Sequence, residues 1–374
     1  MRLNRYFWGF SGVVVLAYLA IMVYVRVDNG PQIQASRYQQ WRSHYVVKLP
    51  HHQALVNANA GQGRTRLALS EGQGYGMLIT VAAAQRGLAT RADFQRFVNY
   101  YLAHRDRHQG QATALMAWRQ YYSPTGQLVK QNSHSATDGD LMIAQALLQA
   151  ERQWPGHGYQ RLAKRLLTAI LRFEYNPTTR ALTVGNWARP RTAARRLFRT
   201  SDVMPTAFDE FYQATGDSRW RQIKHTMLKR LNQLSHQHAS GLVPDFAYLT
   251  THGATPVKPQ TVEGNHDGHY AGNACRVPLM LAKSQDPLAV DTEQRLLRFF
   301  DHQATLWAGY TLTGRPLHHY QAASVTAPIF AAVSAHKNEG YDALFVRSRS
   351  VVERPLPTNS YYSATLTTLV ALWQ

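Results

Sequence analysis

Only one cysteine, Cys275, occurs among the 374 residues, so no intrachain disulfide can form and packing alone must hold the fold. A lone thiol is compatible with export but supplies no bridged framework. Acidic residues are few as well: 22 Asp and Glu face 41 Lys and Arg, a formal charge of +19. Such an excess needs a counterpart, which a polyanion, an anionic membrane surface or an anionic cell wall would supply. No nucleic-acid-binding motif accompanies it, which removes DNA and RNA from the expected partners. Period-two alternation is confined to short pieces such as residues 181–184 and 310–312, which argues against a large sheet. A fixed-period repeat of the helical-solenoid kind is also missing. Apolar residues are not scarce: at 45% they can fill a sizeable core, and the composition is not that of a disordered chain.

The cations are unevenly spread. Arg161, Lys164, Arg165, Arg172, Arg180, Arg189, Arg191, Arg195, Arg196 and Arg199 follow one another with a single acid, Glu174, among them. The plain expectation is a solvated basic face, one that could rest against anionic cell-wall polymers.

At the N-terminus, Arg2 and Arg5 precede an apolar run over residues 7–25, closed by Arg26. At about 1.5 Å per residue the run spans about 28 Å, close to the hydrocarbon thickness of a bilayer. It ends in Val23-Tyr24-Val25-Arg26, a poor signal-peptidase site. An uncleaved signal anchor is therefore expected, with the bulk of the chain outside the cell; the alternative is secretion after signal cleavage. Residues 1–32 form the cytoplasmic start, anchor and stalk, with Asn29-Gly30-Pro31 as a breaker. Residues 33–374 form one domain.

Within that domain the dominant signal is helical. Apolar residues recur at three- and four-residue spacing over 141–154, 162–173, 220–234 and 288–300. About twelve helices are predicted, beginning near Gln34, Ser70, Thr90, Thr137, Gly158, Ser201, Ser218, Gly272, Val290, Tyr320, Tyr341 and Asn359. That makes six helical hairpins, and without a repeat a closed ring fits better than an open solenoid. The expected class is all-α.

Three polar segments could carry chemistry. Ser70-Glu71-Gly72-Gln73-Gly74-Tyr75-Gly76-Met77 has capping-box spacing between Ser70 and Gln73, so Glu71 opens a helix. Its three glycines weaken a helix and suit a close approach to the backbone, such as that of a bound sugar chain. Taken alone, Glu71 could equally just complement the helix dipole. Ser135-Ala136-Thr137-Asp138-Gly139-Asp140 repeats the capping-box spacing, and its carboxylates could be caps or cation ligands. Val262-Glu263-Gly264-Asn265-His266-Asp267-Gly268-His269-Tyr270 is long and glycine-rich for a connection, which favours a functional loop. His266 and His269 have no third ligand at a suitable spacing, so no metal is expected. Cys275 has no histidine placed to activate it and reads as a packing residue.

Together these segments resemble glycoside hydrolase family 8, over nearly all of the exported chain. Ala136-Thr137-Asp138-Gly139-Asp140, with Ile143-Ala144, Ala146-Leu147-Leu148, Ala150 and Trp154, is similar to that family's diagnostic signature. Further pieces fall in family order: Leu115-Met116-Ala117-Trp118, Gly185-Asn186-Trp187, residues 201–205, residues 215–220, residues 241–245 and Tyr361-Tyr362. The resemblance implies an (α/α)6 barrel and hydrolysis with inversion at the anomeric carbon. It makes Glu71 the proton donor. Many members place an aspartate base where this chain has Asn273, and an amide cannot take that proton. A subgroup shares the asparagine and uses a glutamate from the preceding loop, a position matched here by Glu263. Met142 also stands where many relatives carry aspartate.

The resemblance further implies that Asp138 holds sugar at the cleavage point and that Arg276 contacts sugar beside it. Trp118 and Trp187 would be stacking platforms, with Asp202 and Tyr362 as further binding residues. Trp154 and Trp220 fall on apolar helix stripes and are expected in the core. A helix N-terminus favours an ionised Glu71, the wrong state for an acid, so an ionised Asp138 and desolvation must oppose it. Glu263, on a solvated loop, needs no such tuning. The resulting expectation is an extracellular endo-β-1,4-glucanase or lichenase without metal or organic cofactor. A chitosanase of the same family is the nearest alternative. A non-catalytic glycan-binding or polysaccharide-assembly protein on the same barrel is another, favoured by Asn273.

Overall fold

The computed structural model describes residues 14–15, 30–60, 65–336 and 339–374. The signal anchor expected at 7–25 lies outside the described residues except for Val14 and Val15. No helix among the described residues is long and apolar enough to cross a membrane.

From Gly30 on, twelve α-helices follow one another among the described residues: α1 (Gly30–Tyr45), α2 (Ser70–Ala84), α3 (Arg91–Ala103), α4 (Thr137–Gln153), α5 (Tyr159–Phe173) and α6 (Pro205–Thr215) come first. They continue as α7 (Arg219–Ser235), α8 (Val277–Leu281), α9 (Pro287–Asp301), α10 (Ala323–Ala335), α11 (Asp342–Glu353) and α12 (Tyr361–Trp373). The predicted starts match closely at Ser70, Thr90, Thr137, Gly158, Ser218, Tyr341 and Asn359. The first helix begins at Gly30, four residues before the expected Gln34. Gln34 accepts from Arg86 Nε at 2.8 Å and fastens that end.

The even-numbered helices form a ring. Contacts run from α2 to α4, α6, α8, α10 and α12, and from α12 back to α2. Each odd-numbered helix lies outside this ring against an inner neighbour, with α1 completing the outer layer against α12. Burial explains the division. In α2 every residue but Glu71 and Ala84 is buried, and in α12 every residue but Tyr362 and Trp373. Helices apolar on all sides belong inside. Helix α5 buries Ala163, Leu166, Leu167 and Ile170 on one stripe while Arg161, Lys164 and Arg165 stay in water. A fully buried Leu or Phe stabilises by about 1.5–3 kcal/mol, so such stripes suffice to dock outer helices. The seam is tied by Trp41 Nε1 donating to Thr365 Oγ1 at 3.0 Å and by Arg37 donating to the carbonyl of Val352 at 2.9 Å.

Inner helices lead to outer ones through short turns, such as residues 154–158 between α4 and α5 or 216–218 between α6 and α7. The return connections carry every strand among the described residues, and all but residues 354–360 are long. They hold β1 (Val46–Leu49), β2 (Gln53–Val56), β3 (Arg66–Leu69), β4 (Arg105–His108), β5 (Gln111–Met116), β6 (Arg119–Tyr122) and β7 (Leu128–Gln131). Farther on are β8 (Tyr175–Asn176), β9 (Ala181–Leu182), β10 (Leu197–Arg199), β11 (Phe246–Leu249) and β12 (Ala254–Pro256). They pair antiparallel as β1–β2, β3–β6–β7, β4–β5, β8–β9 and β10–β11–β12. The all-α expectation is corrected to this extent: strands of two to six residues are too short for a legible period of two. All of this elaboration sits at one end of the ring, where the inner helices begin. That end carries the site.

Candidate active site

An open cleft of about 1100 Å³ crosses the N-terminal ends of the inner helices. Its floor depends on an unusually tight meeting of α2 and α4. A Cβ at Gly74 would come within 2.6 Å of Met142 Cβ and 3.2 Å of the Gly139 carbonyl, so only glycine fits. The backbone approached here is therefore reached by a neighbouring helix, not by sugar as the sequence suggested. Met142 owes its buried place to this crossing. The consequence is functional: the first turns of α2 and α4 lie side by side, bringing Glu71 next to Asp138.

The expected capping boxes do not form. Helix α2 is capped by Leu69 and α4 by Ala136, neither with a side-chain bond. Gln73 Nε2 turns inward to the carbonyls of Ala54 and Phe97 at 3.2 and 2.9 Å. Ser135 Oγ donates at 2.5 Å to the buried Glu174. The capping box that does form joins Thr90 and Asp93 at α3.

Glu71, partly buried, and Asp138, buried, belong to one knot of charge. Arg276 Nη1 lies 3.3 Å from Glu71 Oε2 and 3.1 Å from Asp138 Oδ2. Arg199 Nη1 lies 2.8 Å from Asp138 Oδ1 and 3.6 Å from Asp202 Oδ1, and its Nη2 lies 3.5 Å from Glu263 Oε1. Tyr361 donates its hydroxyl to Glu71 Oε1. Removing one member of such a buried pair leaves a charge uncompensated, at a cost of about 3–5 kcal/mol. Burial pushes the Glu71 carboxyl above the usual glutamate range, Arg276 opposes, and the Asp138 charge pushes it further up. Burial also acts on Asp138, but Arg199 and Arg276 outweigh it and hold its carboxyl below the aspartate range. Asp202 is raised by burial to about 7 despite Arg199. Two neighbouring carboxyls thus move in opposite directions because one has two guanidiniums and the other shares one.

Glu263 is built differently. Its side chain is 53% exposed, on the loop between β12 and α8. The buried carboxylate of Asp267 gathers that loop by accepting from the amides of Val262 at 2.6 Å, Glu263 at 3.1 Å and Gly264 at 2.9 Å. Asp245, raised by burial to about 7, accepts from the amides of Ala271 and Ala274 at 3.0 and 2.6 Å and pins the far end. Asn273 then bridges both halves of the site. Its Nδ2 donates to Glu263 Oε2 at 2.9 Å, and its Oδ1 accepts from Arg276 Nη2 at 2.8 Å.

Trp118, Trp187 and Tyr362 line the cleft, and the Tyr362 hydroxyl donates to the Gly272 carbonyl at 2.8 Å. Arg276 and Asp202 are enclosed beneath it, Arg276 paired with Glu71 and Asp138 and Asp202 with Arg199. His266 also lines the cleft, its ring 6.1 Å from His269 and 5.1 Å from His318. Burial pushes the Cys275 thiol up to about 12, and its Sγ donates to the Gly272 carbonyl. Trp220 is buried in the core and Trp154 packs partly buried against it.

Sequence reasoning misses three residues. Arg199 stands in a basic run that reads as a solvated face, yet it is buried in the knot. Of the same run, Arg195 donates inward to the Tyr175 carbonyl, while Arg161, Lys164 and Arg165 do face solvent. The resemblance points to Tyr362 and not to its neighbour Tyr361. Asp267 is hidden in a loop where Glu263 draws attention.

One carboxyl kept from ionising and another open to water are what acid–base hydrolysis of a glycosidic bond requires, in a cleft long enough for a chain of sugars. The comparisons with known proteins agree. Residues 12–374 match the profile of glycosyl hydrolases family 8, and the chain belongs to that family. It is 31% identical to a β-glucanase of Niallia circulans over 286 residues, covering 75% of this chain and 66% of the relative's length. It is 26% identical to an endoglucanase of Bacillus sp. strain KSM-330, covering 90% of this chain and 75% of the relative. Among solved structures, the apo β-1,3-1,4-glucanase of Paenibacillus sp. X4 superimposes with a TM-score of 0.80 at 25% identity, covering 91% of this chain and 90% of that one. The chain is accordingly a glycoside hydrolase of the endoglucanase type, in a family of inverting (α/α)6-barrel enzymes.

Proposed function

We propose that this enzyme cuts internal β-1,4 bonds of a β-glucan, with Glu71 as acid and Glu263 as base, and that it belongs to the subgroup with asparagine at the usual base position. Glu71 gives its proton to the leaving oxygen as the glycosidic bond breaks. Asp138 faces the positive charge that develops on the sugar ring. A water adds from the opposite side and passes its proton to Glu263, so the product has inverted configuration. The observation that carries this reading is the Asn273 amide, held by Arg276 and donating to Glu263 at 2.9 Å. An asparagine that cannot be a base here orients one. Trp118 and Trp187 would stack on sugar faces, and a mixed-linkage glucan is favoured by the likeness to the two glucanases above.

The apolar run at 7–25 supports membrane anchoring with the barrel outside, where Arg161, Lys164 and Arg165 could meet anionic wall polymers. The test of function is reducing-end release by the full chain from barley β-glucan, carboxymethyl-cellulose and chitosan, beside Glu71→Gln and Glu263→Gln. Both variants are expected to lose about 10²–10⁴-fold in kcat on a glucan. Full activity in Glu263→Gln would remove it as base. Cleavage of chitosan alone would make the enzyme a chitosanase, and cleavage of none would favour a glycan-binding role.

A further inference from the structure

The cleft holds a third guanidinium that the hydrolytic machinery does not use. Arg199 and Arg276 are spent on carboxylates, but Arg119, which also lines the cleft, forms no ion pair among the described residues. Its guanidinium carbon lies 3.8 Å from the centre of the Trp118 ring, and Nη1 donates to the Tyr121 hydroxyl at 2.9 Å. Two aromatic side chains therefore hold the cation in place. Its Nε, a donor, is buried with no acceptor among the described residues. Polar atoms left unspent in a partly dry site are costly unless a ligand completes them.

The surrounding sheet extends this pattern. Arg119 pairs with Leu69, and Tyr121 with Lys130, in the β3–β6–β7 sheet, while the amide of Asn132 donates to the Arg119 carbonyl. Side chains two apart on a strand, and those directly opposite across a pair, share a face. Arg119, Tyr121, Lys130 and Asn132 thus lie on one face, leading from the cleft to open solvent. The three strands contain Arg66, Arg119 and Lys130 and no acidic residue.

We propose that this end of the cleft is a subsite for an oxyanion, a carboxylate or a phosphate carried by the glucan chain, received by the fork of Arg119 beside the Trp118 platform. A planar guanidinium fixed against a ring suits bidentate capture of such a group, whereas a neutral glucan would leave it unpaired. The proposal deepens the endoglucanase reading and rests on it.

The test compares kcat/KM of the full chain on cello-oligosaccharides of one length in three forms: unsubstituted, carboxymethylated and phosphorylated. At low salt the wild type should favour one or both anionic forms about tenfold or more. Arg119→Gln should lose most of that ratio and Arg119→Lys only part of it. Which anionic form is favoured tells carboxylate from phosphate. A ratio unchanged by Arg119→Gln, or no preference in the wild type, overturns the subsite. Binding of the same sugars to Glu71→Gln, followed by calorimetry, keeps the two readings apart. If no glucan is cut but the anionic form still binds more tightly through Arg119, the hydrolytic reading fails and the subsite stands.

Discussion

The two carboxylic groups of this site come from regions built on opposite plans. Glu71 belongs to the barrel floor, where α2 and α4 cross at Gly74 and Gly139 and only 19% of its side chain is exposed, on the cleft side. Glu263 hangs on a loop held by hydrogen bonds to one aspartate, with half its surface in water. Helix packing removes solvent and raises a carboxyl; a loop gathered by backbone amides leaves its neighbour solvated. The acid and the base are therefore separated by the kind of structure that carries them, and not by residue type. Arg199 and Asn273 each reach from the floor to Glu263, at 3.5 and 2.9 Å, and are the contacts that join the two halves here.

The sharpest way to break this comparison is to supply a substrate that does not need the acid. An aryl β-cellotrioside with a dinitrophenolate leaving group departs without a proton. Glu71→Gln should then recover most of a loss that reaches about 10³-fold on β-glucan, while Glu263→Gln stays impaired on both substrates. Equal impairment of both variants on the activated substrate, read as kcat in steady-state assays, would show that the two glutamates do not divide the labour this way.

A smaller effect should separate floor from loop. Asp267→Ala removes the acceptor of three loop amides and lets Glu263 wander, while the pairs among Glu71, Asp138 and Arg276 stay in place. A misplacement of about 1 Å in a reacting group can cost about 10²-fold, so kcat on β-glucan should fall by about that factor. The floor should stay intact, so the alkaline limb of the pH–rate profile, set by Glu71, should keep its position. Movement of that limb in Asp267→Ala would mean that the halves are coupled more strongly than Arg199 and Asn273 suggest.

How much of this can be read from the chain follows the same division. Helix starts are legible because each carries local punctuation, such as Thr90 with Asp93, Gly158, or Ser218 after Gly216. The glycines of α2 announce a close approach without saying by what, since the partner, Met142, is 68 positions away from Gly74 along the chain (142 less 74). Arg199 is illegible for a related reason: a cation in a basic run looks solvated, and only the turn from β10 into the 3-10 segment 200–202 buries it against Asp138. The family resemblance supplies Glu71, Glu263 and Asp138 together. It does not show that Asn273 links Glu263 to Arg276, because that is a matter of side-chain direction.

The choice between Tyr361 and Tyr362 shows the limit most plainly and gives the finest test. Both residues open α12 and line the cleft, and their sequence neighbours do not distinguish them; their hydroxyls do, Tyr361 donating to Glu71 and Tyr362 to the Gly272 carbonyl. A hydroxyl donating to a carboxyl favours its ionised form, so Tyr361 lowers a Glu71 pKa that burial raises. Tyr361→Phe removes that opposition, and the Glu71 carboxyl should rise further. Because the acid must be protonated to work, activity is lost as pH rises through this pKa, and the alkaline limb of kcat should move to higher pH. The rate at the optimum should change by only about threefold, under about 1 kcal/mol, since the proton donor itself remains. Tyr362→Phe, whose hydroxyl serves the Gly272 carbonyl, should leave the limb where it is. A limb that moves down in Tyr361→Phe would mean that the tyrosine stabilises the protonated acid instead, and that the floor holds Glu71 ready by a bond rather than by dryness.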